Sequence, residues 1–296
     1  MDDPPGGVLN RTATSNRAAL DGVISPCYSS SIVALKQEGT KQPLFLIHGV
    51  DGSIDRFHLF ARHLAPDQPA YAIQSQALVE DQVALTRVED LARYYLTEVR
   101  TVQPHGFYHL LGYSFGGLLA FEMARQLRSS GDGVGLLAII DPRRMAPLRI
   151  LGGSNPAGSR LERGWSYIRS HIKQVLSAEG LKYATEKVRA RSLRIAYTLL
   201  DFIDRPIPRF LRSPYDINWF AAVHYTPQTF PVRITVFQAK ESPDIASHSD
   251  DRWSRLAGDG AEIHEISGGH EDVLDEPYVR LLAREVTACL AKIHEP

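Results

Sequence analysis

The chain has little sulfur to cross-link. Its two cysteines, Cys27 and Cys289, are too few among 296 residues to form a disulfide framework. A reducing compartment, the cytoplasm, is the matching expectation. No apolar run reaches the ~20 residues of a membrane span. The opening MDDPPGGVLNRTATSNRAALDGV lacks the apolar core of a signal peptide. Charge of one sign is also missing. Thirty-three basic residues face thirty-four acidic ones, a net of −1, which argues against a nucleic-acid partner for the chain as a whole. Neither paired cysteines nor H-E-x-x-H occurs, so no metal site is expected. The loop HGVDGS lacks both the Lys-Ser/Thr ending of a phosphate-binding loop and G-x-G-x-x-G, and no bound cofactor is expected. What the chain does have is 44% hydrophobic residues, enough for a sizeable core.

Residues 1–28 are rich in Asp, Pro, Gly, Ser, Thr and Asn without periodicity and read as a flexible N-terminal leader. From 29 to 296 the texture is that of one domain. Apolar runs recur between turn residues: SIVAL (31–35), LFLIHG (44–49), AYAIQS (70–75), FYHLLGYS (107–114), GLLAIID (135–141), VRITVFQA (232–239) and AEIHEIS (261–267). Most are short and rich in β-branched or aromatic residues, as strands buried on both faces are. Helical spacing lies between them: Phe57, Phe60, Ala61 and Leu64; then Val88, Leu91, Ala92, Tyr95 and Val99; then 115–127 and 278–293. Alternating strands and helices imply right-handed crossovers and a mostly parallel, doubly wound α/β sheet.

The alternation stops after Asp141. An insertion of about 143–222 contains two helical candidates, Leu161–Leu176 and Leu181–Ile203, the second carrying Val188, Ile195 and Leu199. A helical insertion outside the sheet is expected to sit over one end of it as a lid. Residues 143–213 hold fifteen Lys/Arg and five Asp/Glu, so this segment is strongly basic in a nearly neutral chain. An acidic partner is one reading and a solvated helix surface the other.

Chemistry concentrates at Gly112-Tyr113-Ser114-Phe115-Gly116-Gly117, a G-x-S-x-G sequence between an apolar strand and a helix. That context presents a serine on a strained turn, with glycines where side chains would collide with the neighbouring strand and helix. Ser114 is thus a candidate nucleophile at a helix N-terminus, where free N–H groups favour an oxyanion. It needs a base. His270 follows a strand on the turn Ser267-Gly268-Gly269, on the same rim as Ser114. His264 and His224 lie inside a strand and a helix and read as packing residues; for His48 the backbone carries more weight than the ring. The acid that orients the base is expected at Asp141, where GLLAIID ends, with Asp244 and Glu241 as alternatives after the next strand. Two N–H groups are needed for the oxyanion, and Phe115 and Val50 are the expected donors.

The stretches PLFLIHGVDGSIDRFHLFARHL, HLLGYSFGGLLAFEMARQL, LLAIIDP and ISGGHEDVLDEPYVRLLA together resemble the thioesterase domains of non-ribosomal peptide and polyketide synthetases, over roughly residues 31–293. The resemblance implies an α/β-hydrolase fold and an acyl-Ser114 intermediate. It implies a substrate presented on the phosphopantetheine of an acidic acyl or peptidyl carrier protein, and release by hydrolysis or cyclisation. In that family the position of Asp141 is typical of synthetase-terminal domains, whereas an initial Met without a carrier segment is typical of discrete thioesterases. Three alternatives share these residues: a carboxylesterase or lipase acting on oxygen esters, an acyltransferase, and a catalytically silent binding protein of the same fold.

Overall fold

The computed structural model describes residues 30–79, 83–142, 180–203, 205–241 and 250–294. The expected leader at 1–28, Cys27 and the helical candidate Leu161–Leu176 lie outside the described residues.

Among the described residues seven strands form one sheet: β1 (Ile32–Lys36), β2 (Leu44–Ile47), β3 (Ala70–Ile73), β4 (Phe107–Tyr113), β5 (Gly133–Ile140), β6 (Ile234–Ala239) and β7 (Ala261–Ile266). Their order is β1-β3-β2-β4-β5-β6-β7. Only β1 runs antiparallel, against β3; every other pairing is parallel. Strands β2 and β6 are buried along their whole length, and β4 along all but its first residue, which explains why they read as continuous apolar runs. The edge strand β7 instead carries Glu262 and Glu265, charges that discourage pairing with another chain. This is the α/β-hydrolase arrangement.

Helices cover both faces. On one, α2 (Val88–Val102) and α3 (Gly116–Ser129) bury Leu91, Tyr95, Val99, Leu119 and Met123. On the other, α1 (Asp55–Arg62) and α7 (Tyr278–His294) bury Phe57, Phe60, Leu282 and Val286. The ends of α2 suit its macrodipole, with Glu89 and Asp90 in the first turn and Arg100 in the last. The described part of the insertion holds α4 (Gly180–Phe202) and α5 (Pro214–His224). Ser213 caps α5 by accepting the Asp216 N–H at 3.3 Å, and Pro214 supplies a preset first turn. A small third cluster, with Leu193, Tyr197, Ile207, Ile217 and Phe220, joins these two helices.

Two features differ from the sequence expectations. The stripe Val188, Ile195 and Leu199 faces outward, and α4 packs instead through Leu193 and Tyr197. A helix, α6 (Asp250–Leu256), precedes β7 where the sequence shows no periodic run; among its described side chains Trp253 and Leu256, with the adjoining Ala257, are buried, too few for a recognisable period.

Candidate active site

Four chain segments end at the carboxyl rim of the parallel strands, where open α/β sheets place their sites. After β4 the chain turns sharply into α3, and Ser114 at the corner has φ 55°, in the left-handed region. The Ser114 N–H donates to the Ile140 carbonyl at 2.9 Å, extending the β4–β5 ladder by one residue and holding the corner in place. Glycine is required on both sides. A Cβ at Gly112 would lie 2.1 Å from the Gly116 carbonyl oxygen, and one at Gly116 would lie 2.3 Å from that of Ile47. The close approach of helix, turn and strand is therefore written in the two glycines of the motif.

After β5, Asp141 is the other non-glycine residue with positive φ among the described residues, at 38°. Its N–H donates to the Phe237 carbonyl at 2.8 Å. The carboxylate is 1% exposed and accepts three hydrogen bonds. Oδ1 takes the Gln238 side-chain amide at 2.7 Å and the Ala239 N–H at 3.0 Å, and Oδ2 takes His270 Nδ1 at 2.6 Å. Buried charge is tolerable when so fully bonded. With a carboxylate on Nδ1, the imidazole is oriented with Nε2 as its available nitrogen.

His270 lies four residues beyond β7 and is itself buried at 6% exposure. Tyr113, the residue before the serine, holds it twice. The phenol donates to the His270 carbonyl at 2.7 Å, and the two rings stack at 5.0 Å. Ser114 and His270 line one cavity of about 380 Å³, together with Val50, Ile54, Phe57, Tyr215 and Leu274. The Ser114 hydroxyl is not hydrogen-bonded to His270 in this arrangement. In unliganded enzymes the bond between nucleophile and base is commonly looser than in the reacting complex.

The loop after β2 approaches the same cavity through Val50. Among the described residues, neither the Val50 nor the Phe115 N–H meets a hydrogen-bond acceptor, so both remain available as donors. Of the alternative acids, Glu241 is exposed, with its N–H on the Gly268 carbonyl, and Asp244 lies outside the described residues. His264 packs on Phe237 and pairs with Glu262, and His224 packs on Phe220. Tyr113, Gln238 and Asn218 were not singled out by sequence, although Gln238 and Asn218 carried a signal as polar residues within apolar stretches. Among the described residues no group of three or more His, Cys, Asp or Glu is placed to hold a metal ion. None of their helices is long and apolar enough to cross a membrane.

Residues 42–288 match the family model described as Thioesterase domain. The malpinin synthetase of Mortierella alpina is 39% identical over 120 residues, 39% of this chain and 2% of that protein. The nonribosomal peptide synthetase btyA of Aspergillus terreus is 28% identical over 92% of this chain and 31% of its own length. The chain thus spans less than a third of these relatives. Among solved structures, a four-domain nonribosomal peptide synthetase superposes with a TM-score of 0.65 at 25% identity, covering 88% of this chain and 20% of that one.

Proposed function

The chain belongs to the thioesterase domain family, and on that footing we propose that it releases an acyl or peptidyl group from the phosphopantetheine arm of a carrier protein through an acyl-Ser114 intermediate. The observation that carries this reading is the buried 2.6 Å bond between His270 and Asp141, beside the cavity that Ser114 lines.

In this mechanism His270 takes the Ser114 proton through Nε2, and the serine oxygen attacks the thioester carbonyl. Asp141 keeps the ring in the required tautomer and stabilises it when charged. The Val50 and Phe115 N–H groups hold the oxyanion, each such donor being worth ~10²–10³ in kcat. The C–S bond breaks, and the pantetheine thiolate leaves with the proton that His270 carries. His270 then activates water, giving an acid, or a hydroxyl or amine of the acyl chain itself, giving a ring.

The basic character of the insertion supports docking of an acidic carrier protein. Arg189, Arg191 and Arg194 are exposed along α4. The decisive experiment is intact-protein mass spectrometry after incubation with acyl-pantetheine thioesters. Wild-type protein should gain the acyl mass and Ser114→Ala should not. Turnover retained by Ser114→Ala would falsify the acyl-serine scheme.

A further inference from the structure

The two carbonyls on either side of the Val50 N–H are each held by a buried side chain. The Gly49 carbonyl accepts from His48 Nδ1 at 2.5 Å, and also from the Gly52 N–H at 3.1 Å, which closes a tight turn. A carbonyl oxygen only accepts, so Nδ1 carries the proton. Burial depresses His48 from 6.5 to about 4, so the ring is neutral near pH 7 and has no second N–H. Its Nε2 is therefore an acceptor, and the Tyr95 hydroxyl 2.8 Å away donates to it. The Tyr95 oxygen in turn accepts the Gln76 N–H at 3.0 Å. The relay has one direction, from Tyr95 through His48 to Gly49.

Across a trans peptide the C=O and N–H point opposite ways. The Gly49–Val50 bond is trans, so a carbonyl turned toward the His48 ring turns the Val50 N–H away from it. The next peptide is held from another side. The Val50 carbonyl accepts from Asn218 Nδ2 at 3.0 Å, and Asn218 is fully buried beside Ser75. Asn218 belongs to α5, the helix by which the chain leaves the insertion. Burying an imidazole and a carboxamide is costly unless each is bonded, and here both are bonded to one short loop.

We infer that His48 and Asn218 are positioning residues for the oxyanion hole, fixing the peptides on both sides of Val50 so that its N–H faces the reacting carbonyl. This rests on the proposed role of Val50. It also revises the sequence reading of His48, whose ring orients the loop that its backbone begins.

The test compares His48→Leu, Asn218→Leu and His48→Asn with wild type. The asparagine retains a donor close to the position of Nδ1. Both leucine variants should lower kcat on an acyl-pantetheine thioester about 10- to 100-fold, with KM within about threefold. Affinity for a trifluoromethyl ketone analogue, whose serine adduct carries the oxyanion, should fall in parallel, while affinity for the unreactive amide analogue holds. His48→Asn should recover most of the loss. The double leucine variant should lose less than the product of the single losses, because both side chains act on one donor.

Unchanged kcat in both leucine variants, or equal losses of ketone and amide affinity, would overturn the inference. Should a leucine variant fail to fold, Tyr95→Phe makes the same comparison by removing only the hydroxyl that fixes the His48 tautomer. Its expected loss is about three- to tenfold in kcat and ketone affinity, and no loss overturns the inference. Ser114→Ala is the control. If it turns over, the acyl-serine reading falls and the inference with it; if it is inactive while the leucine variants are not, the positioning role alone falls.

Discussion

Asp141 reaches His270 from a left-handed backbone, with φ 38° and an Oδ2 to Nδ1 distance of 2.6 Å. Asn is among the residues that tolerate this conformation best, so Asp141→Asn should fold normally. Its Oδ1 can keep the Gln238 and Ala239 bonds, which leaves an NH₂ group facing His270 Nδ1. The imidazole is then forced into the wrong tautomer. The expected result is a loss of about 10⁴-fold in kcat, by analogy with serine proteases, with an unchanged melting temperature.

Tyr113→Phe keeps the ring stacked on His270 and removes the bond to its backbone carbonyl. One hydrogen bond of about 1 kcal/mol corresponds to roughly fivefold. That loss should appear in kcat, with little change in KM, in steady-state kinetics on a small thioester.

Gly116→Ala places a methyl group against two carbonyl oxygens, those of Ile47 and His48, and neither strand nor loop can retreat without moving the site. The expected cost is about 3 kcal/mol in denaturant unfolding, with loss of acylation. Gly131 is the control. Its φ is 86° and nothing lies within 4 Å of the added Cβ, so Gly131→Asn carries only the backbone strain of a left-handed asparagine and should cost far less, with acylation kept.

Acid should destabilise the protein in two steps. The neutral His48 ring has a folded value of about 4 against 6.5. Between those values the unfolded chain binds the extra proton, so stability is full above about 6.5 and falls as pH drops toward 4, by on the order of 3 kcal/mol. Burial alone would raise Glu122, but hydrogen bonds from Arg125, Gln126 and Tyr225 outweigh it and hold the carboxyl below its ordinary range. Its contribution is present above the ordinary glutamate value and is lost as pH falls through the lower folded value. Melting temperatures recorded against pH should flatten in the upper window for His48→Asn and only in the lower one for Glu122→Gln.

Replacing Arg189 and Arg191 by glutamate should raise KM for a carrier-bound thioester about tenfold and leave a free pantetheine thioester unaffected. An equal response of both substrates would dispose of the docking role.

Sequence made the strands, the rim and the chemistry around Ser114 legible because each leaves a local mark: a short apolar run, a turn glycine, a polar residue where a run ends. Such marks do not show what a side chain meets across the fold. His48 sits beside a glycine loop, and its partner Tyr95, with the Gln76 N–H that Tyr95 accepts, comes from distant segments. Asn218 meets Val50 across 168 positions. The outward face of α4 was likewise hidden, since helical spacing marks a stripe without saying which of two stripes is covered. For α6 the anchors were too few to mark anything.

Sheet order has a consequence for when reactivity appears. During synthesis the serine corner can form once β5 has followed α3, because its amide needs only Ile140. The carboxylate waits for Gln238 and Ala239, and the imidazole for the loop beyond the last edge strand. These are contacts of long range in the chain, of the kind that form late. A nascent chain thus carries the Ser114 alcohol without its base until the segment beyond β7 has been made, and in the proposed mechanism acylation waits for the last strand of the described sheet.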